Sequence, residues 1–234
     1  MAPFSRPPRL DGKIEPGEWD GAVGVSGFQG PDSHRLEARA AAAFCGFTET
    51  DLYVAVVSDL PPDGQIGERT RRDSDVIFDE SLELWLDPDP ENRAAGKSTA
   101  PFFQFIGNPR GAIYDARLKA GGEAADVGWD PPWRFVNSVD KASGKWVAEL
   151  AIPFKELGWG DGPVAGRSLG VLIARNFKRP WNQATWFSQT GHFGNLDFVR
   201  LRLTKDAPAV QLESLGERIF RGEPFCGRLS GVRE

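Results

Sequence analysis

Between Phe78 and Pro90 the chain reads FDESLELWLDPDP, and its hydrophobic positions recur with a period of two. Leu82, Leu84 and Leu86 fall on one face of an extended segment, and Ser81, Glu83, Trp85 and Asp87 on the other. The leucine face predicts a strand laid on a core. The opposite face carries an indole between two acids, which a solvated strand surface does not require. Short alternating or apolar runs of this kind recur along the chain, among them DLYVAVVSD (51–59), PFFQFIG (101–107), KWVAELAIPF (145–154) and SLGVLIARNF (168–177). About ten such runs with turn-rich connections predict an all-β fold, an antiparallel β-sandwich of jelly-roll type. Val54, Leu82, Leu84, Leu86, Phe103 and Phe105 are expected in its core. Helical periodicity is scarce: PFKELGWG (153–160) predicts one turn, with Pro153 at its start and Gly158 beyond its end.

Composition supports this picture. The 27 glycines and 18 prolines among 234 residues are scattered, as in many turns between short strands. KDAPAV (205–210) reads as a boundary, dividing a sandwich over 1–204 from a C-terminal extension, or the start of a further domain, over 205–234. A net charge of −5 argues against a nucleic-acid or anionic-membrane partner, and the basic run RTRR (69–72) is flanked by Glu68, Asp73 and Asp75. No run approaches the roughly 18 apolar residues of a membrane helix. The first residues, MAPFSRPPRLDG, lack the apolar core of a signal peptide. Cys45 and Cys226 form no disulfide framework, and whether they pair is not legible.

Familiar motifs fail one by one. ENRAAGKST (91–99) places Glu91 where a phosphate-binding loop needs its first glycine, and GWGDGP (158–163) has Pro163 at the last glycine of the dinucleotide fingerprint. His34 and His192 sit beside no recognisable nucleophile, so a reaction of the domain's own is not expected. Glu83 and Asp87 share a face but lie roughly 13 Å apart along a strand, too far for a glycosidase pair. DPDPE (87–91) opens like a calcium loop, yet the EF-hand glycine is Asn92 and the twelfth position Ser98. A structural calcium at a loop of another kind stays open beside a plain acidic turn. Glu149, the one acid inside WVAELAIP, is expected to hold loop amides or a cation, because an unpaired carboxylate there would be costly.

RLDGKIEPGEWDGA (9–22), FTETDLYVAVVSD (47–59), DESLELWLDP (79–88), FFQFIGNPRGAIYDAR (102–117), GKWVAELAIPFKELG (144–158), GVLIARNFKR (170–179) and TWFSQTGHFGNLDFVRL (185–201), in this order, resemble carbohydrate-binding module family 9. The resemblance covers about residues 8–203. It implies a β-sandwich that binds a glycan end without cleaving it, secreted or periplasmic, and attached to a larger carbohydrate-active protein. Family members hold a terminal sugar against the face that carries Glu83 here. Trp85 would supply an apolar platform, with Gln104, Asn108 and Asn176 as polar contacts. The alternative for the same strand is that Trp85 packs under a loop and Glu83 bonds to a turn.

The two tryptophans that clamp the sugar in the family have no counterpart. The first would fall near Ile77 or Phe78, the second in SQTGHFGNL (188–196), and an arginine is replaced at about Ile106. Trp181 is the candidate substitute clamp, or else a hairpin tip. The fold is expected to be kept and the sugar specificity to differ. On this view Glu83, Trp85, Gln104 and Asn108 share one face opening onto a groove, and Glu83 is solvent-facing. Two other functions compete: a haem-binding DOMON-like domain, for which only Met1, His34 and His192 offer axial ligands, and a ligand-less spacer.

Overall fold

The computed structural model describes residues 1–31, 33, 35–119, 125–186, 198–205, 210–215 and 227–231. In chain order its strands are β1 (Val23–Ser26), β2 (Ala41–Phe47), β3 (Asp51–Asp59), β4 (Ser81–Asp87), β5 (Phe102–Gly107), β6 (Ile113–Leu118), β7 (Ala125–Asp126) and β8 (Arg134–Asp140). They continue as β9 (Lys145–Pro153), β10 (Ser168–Phe177), β11 (Asn182–Thr185), β12 (Val199–Arg202), β13 (Val210–Leu215) and β14 (Gly227–Gly231). One sheet has the order β1-β2-β3-β9-β8. The other runs β11-β10-β4-β5-β6-β7, and β12 pairs with the first half of the same edge of β10 whose second half takes β11. β13 and β14 pair with each other. Every one of these ladders is antiparallel. The expected turn over 153–160 is a short 3-10 helix, Phe154–Leu157, closed by Gly158 at φ 80°.

The two sheets pack face to face, and alternation decides what lies between them. Leu82, Leu84, Leu86, Phe103, Phe105 and Val54 are all buried in one cluster, as expected. Gly107 is required here: opposite Leu82 on the inner face, any Cβ would collide with the ring of Phe135 on the facing sheet.

The outer face of the first sheet is closed by the N-terminal segment. Trp19 and Ala22 bury against Tyr53, Ala55 and Ala151, with Phe4, Leu10 and Ile14 packed around them. Glu149 accepts the amides of Asp11 and Gly12 at 2.9 and 2.6 Å, so it holds the loop that carries this segment.

The second sheet departs from the expectation of an open face. Every residue of β4, on both faces, is buried. Part of the cover comes from the segment between β3 and β4: Val76 packs on Ile106 and Ala112, with Ile77 and Tyr114 beside them. Asp79 fixes that segment, accepting the amides of Glu68 and Arg69 at 3.1 and 2.9 Å and the Arg69 guanidinium at 3.0 Å.

A buried cation lies inside the sandwich. Arg175 sits opposite Leu82 on the inner face and is 1% exposed. It donates to Ser58 Oγ on the first sheet at 2.9 Å, to the Ser81 carbonyl and to Glu80 at 3.1 Å, and its guanidinium lies 4.7 Å from the Trp146 ring. Glu80 also takes a two-pronged contact from Arg39, at 2.9 and 2.7 Å. Burial pulls the Arg175 pKa down to about 10, with the Glu80 charge opposing, so the group stays protonated at neutral pH.

Candidate functional site

Glu83 is the centre of the outer face of the second sheet. Register puts Glu83 beside Ile106 and Trp85 beside Gln104 across β4 and β5, and Ala174, Asn176 and Gln183 continue the face across β10 and β11. Of the four residues expected to share one face, Glu83, Trp85 and Gln104 lie side by side and Asn108 does not, while Asn176, a further polar candidate, stands beside Glu83. The expected solvent exposure is not found: Glu83 and Asn176 are 0% exposed, Trp85 3% and Gln104 7%.

The carboxylate is filled from within the protein. Oε1 accepts the Trp85 indole N–H at 2.6 Å and the Gln104 amide at 2.6 Å; Oε2 accepts Asn176 at 3.1 Å and Gln183 at 3.0 Å. A carboxylate offers about four lone-pair positions, and four donors occupy them. Asn176 also donates to Ser81 Oγ at 3.1 Å and accepts from Gln183 at 2.8 Å, which closes the ring of bonds. All four donors to Glu83 are neutral, so the charge is delocalised over hydrogen bonds rather than ion-paired. Burial raises the pKa of Glu83, and the bonds from Asn176, Gln104, Trp85 and Gln183 pull against that rise. Of the two sequence alternatives, Trp85 does pack away from solvent, but Glu83 bonds to side chains rather than to a turn.

Asn108 does not join this cluster. One residue past β5, it donates to the Arg69 carbonyl at 2.9 Å and to Asp79 at 3.0 Å, and accepts the amides of Arg110 and Ala112. Its work is to brace two loops. Nor does Trp181 reach the carboxylate. It stands on the turn between β10 and β11, 50% exposed, with its ring centroid 5.4 Å from that of Phe78, itself 51% exposed, at an interplanar angle of 53°.

Two features here were not singled out from the sequence. Gln183 completes the Glu83 cluster, and its only signal was a polar residue in a short strand whose partner, Asn176, depends on β10–β11 register. Phe78 was marked only as a place where a tryptophan was missing. Its role as half of an exposed aromatic pair needed the turn of Trp181 to be folded back over it.

Of the other tryptophans, Trp19, Trp133, Trp146 and Trp186 are buried and Trp129 lies against Phe103 at 4.9 Å. Trp159 is buried in its Gly-rich turn: it stacks on Phe154 at 4.9 Å and donates to the Pro88 carbonyl at 3.1 Å.

The residues do not fit a calcium at DPDPE. Arg93 reaches Asp87 at 2.8 and 3.0 Å, Asp89 accepts from Asn92 at 2.8 Å, and Glu91 accepts from Ser168 at 2.6 Å. Among the described residues, Asp73, Asp115 and Asp130 alone cluster closely enough to hold a metal ion. That cluster already has its cation, because Arg72 contacts Asp115 at 2.6 Å and Asp130 at 2.5 Å. His34, His192, Cys226 and the segment 188–196 lie outside the described residues. No helix among the described residues is long and apolar enough to cross a membrane.

No family model and no curated protein matches the sequence. Solved structures do match in fold. A protein from Bacteroides uniformis assigned a carbohydrate-binding role superposes with TM-score 0.62 at 10% identity, covering 86% of this chain and 95% of that one. A family 9 carbohydrate-binding module from Caldicellulosiruptor kristjanssonii, solved with glucose, gives 0.57 at 14% identity over 88% of this chain and 95% of that one. The same organism's module with cellotriose gives 0.60 at 13% identity over 88% and 93%. The chain therefore has the sandwich fold of these modules along nearly their whole length.

Proposed function

We propose that this domain is a non-catalytic glycan-binding module, carried by a secreted or surface protein that acts on or anchors to carbohydrate. The observation that carries the proposal is the exposed Phe78–Trp181 pair, Phe78 just ahead of β4 and Trp181 on the turn between β10 and β11. Large aromatic side chains left in water in contact with one another mark a binding surface, and aromatic faces pack well on the C–H faces of sugars. The fold likeness to modules solved with glucose and cellotriose supports the same reading. The ordered order of motifs along the sequence supports it too.

Binding of the purified domain to an array of neutral and charged glycans, with and without calcium, tests this. Saturable binding to at least one glycan is expected, and it should survive chelation, since Arg93 and Arg72 stand where cations would sit. A domain that binds no glycan on the array contradicts the reading.

A further inference from the structure

The face that binds a terminal sugar in the family is closed in this protein. Each Glu83 oxygen holds two donors from its own chain, and the residue is 0% exposed. A sugar hydroxyl would have to displace one of those donors and leave it unpaired in a buried setting, which is unfavourable. Any glycan contact must therefore be sought outside the Glu83 cluster.

Four large hydrophobic residues stand exposed among the described ones: Leu36, Phe78, Val127 and Trp181. Only Phe78 and Trp181 of these are aromatic, and they touch. Their positions are built rather than incidental. Phe78 directly precedes Asp79 and Glu80, whose side chains anchor the 67–69 loop and the Lys178 amide, the latter at 3.0 Å. Lys178 opens the turn that carries Trp181, and its ammonium reaches back to Glu68 at 2.7 Å. Asn182, on the far side of Trp181, donates to Glu37 at 2.7 Å. Both rings are thus held by bonded neighbours while they stay in water, which lowers the ordering cost of binding.

The geometry excludes a clamp. A sugar ring sandwiched between two aromatic faces needs carbon contacts of about 3.5–4.0 Å on each side, so about 7–8 Å between the rings. Centroids 5.4 Å apart leave no such gap.

We infer that the glycan contact is the Phe78–Trp181 pair, acting as an open two-ring platform for successive pyranose rings within an uncharged glycan chain, while Glu83 braces the sheet beneath and touches no sugar. This rests on the glycan-binding reading above. An uncharged ligand follows from the surroundings, where charges of both signs are interspersed: Lys178 pairs with Glu68 and Arg69 with Asp79, Glu37 bonds Asn182, the exposed Arg179 stands two residues before Trp181, and the whole chain carries −5, which disfavours acidic glycans.

Isothermal calorimetry with neutral gluco-, xylo- and manno-oligosaccharides of one to six units, and with oligogalacturonate, tests the inference. In the series that binds, affinity should climb from monosaccharide to hexasaccharide, and Trp181→Ala or Phe78→Ala should each weaken it about tenfold. Because both side chains are half in water, neither variant should lower the thermal midpoint appreciably, so loss of binding would not reflect unfolding. Binding as tight to one sugar unit as to six, or undiminished binding in the Phe78→Ala/Trp181→Ala double variant, overturns the platform and leaves the glycan-binding reading standing. Preference for oligogalacturonate overturns the uncharged ligand. Concentration-dependent dimerisation lost in the double variant assigns the pair to a second copy of the chain and overturns the platform. Absence of binding in every series overturns both.

Discussion

Glu83 and Gln183 meet at 3.0 Å across the β4–β10–β11 edge, and that bond fills the last acceptor position of a carboxylate with no exposure to water. The acid that the resemblance to family 9 would place against a sugar is here a structural centre. Glu83→Gln, which the sequence alone predicts to spare stability and abolish binding, should do the reverse. A glutamine brings its own NH2 against the donors converging on Glu83 and leaves at least one N–H without an acceptor, at a cost of about 1–3 kcal/mol. Chemical denaturation should show that loss, while affinity for a bound glycan stays within twofold of the unsubstituted domain.

The same residue makes stability depend on pH. Burial raises the Glu83 pKa above its usual value near 4.5, so between the two values the folded chain holds a proton that the unfolded chain has released, and above them the carboxylate is ionised and takes its four donors. Stability from this group is present below the unfolded value and is lost as pH rises through the folded one. Unfolding free energies at pH 5 and 7 should therefore show a smaller gain on acidification in Glu83→Gln than in the parent. An equal gain in both would mean that Glu83 titrates alike folded and unfolded.

Arg175 offers a second test, of the sandwich interior. Arg175→Ala removes one of two cations on Glu80 and leaves Ser58 and the Ser81 carbonyl without their donor inside the core. Breaking such a buried network costs about 3–5 kcal/mol. A leucine or methionine at 175 should recover part of that by refilling the space against Trp146 and Phe177, and thermal melts of the three proteins rank them.

Asp79 connects the loop to the platform. With Asp79→Ala the amides of Glu68 and Arg69 lose their acceptor, and hydrogen exchange at those two positions should speed up by at least tenfold. Glycan affinity should fall along with it, because the segment entering Phe78 loses its anchor.

The period of two was enough to place the leucine face of β4 in the core, and alternation likewise gave Phe103 and Phe105. Cross-strand proximity of Glu83 and Gln104 followed once β4 and β5 were taken as neighbours. Solvent exposure did not follow, because part of the cover came from a segment without periodicity: Val76 lies on Ile106 and Ala112, and Asp79, just ahead of β4, holds the amides of Glu68 and Arg69. Asn108 looked equivalent to Gln104 by alternation, yet it sits past the strand end, where loop amides compete for it. Gln183 and the Phe78–Trp181 contact depend on how two distant turns close, which local pattern does not encode.

The most direct measurement of the central claim is an amide-and-indole NMR titration with the neutral hexasaccharide that binds best. The Trp181 indole N–H resonance, assigned by Trp181→Phe, should move saturably, while the Trp85 indole N–H, held at 2.6 Å by Glu83, stays in place. A saturable shift at Trp85 with Trp181 unmoved would contradict the account and return the sugar to the Glu83 face.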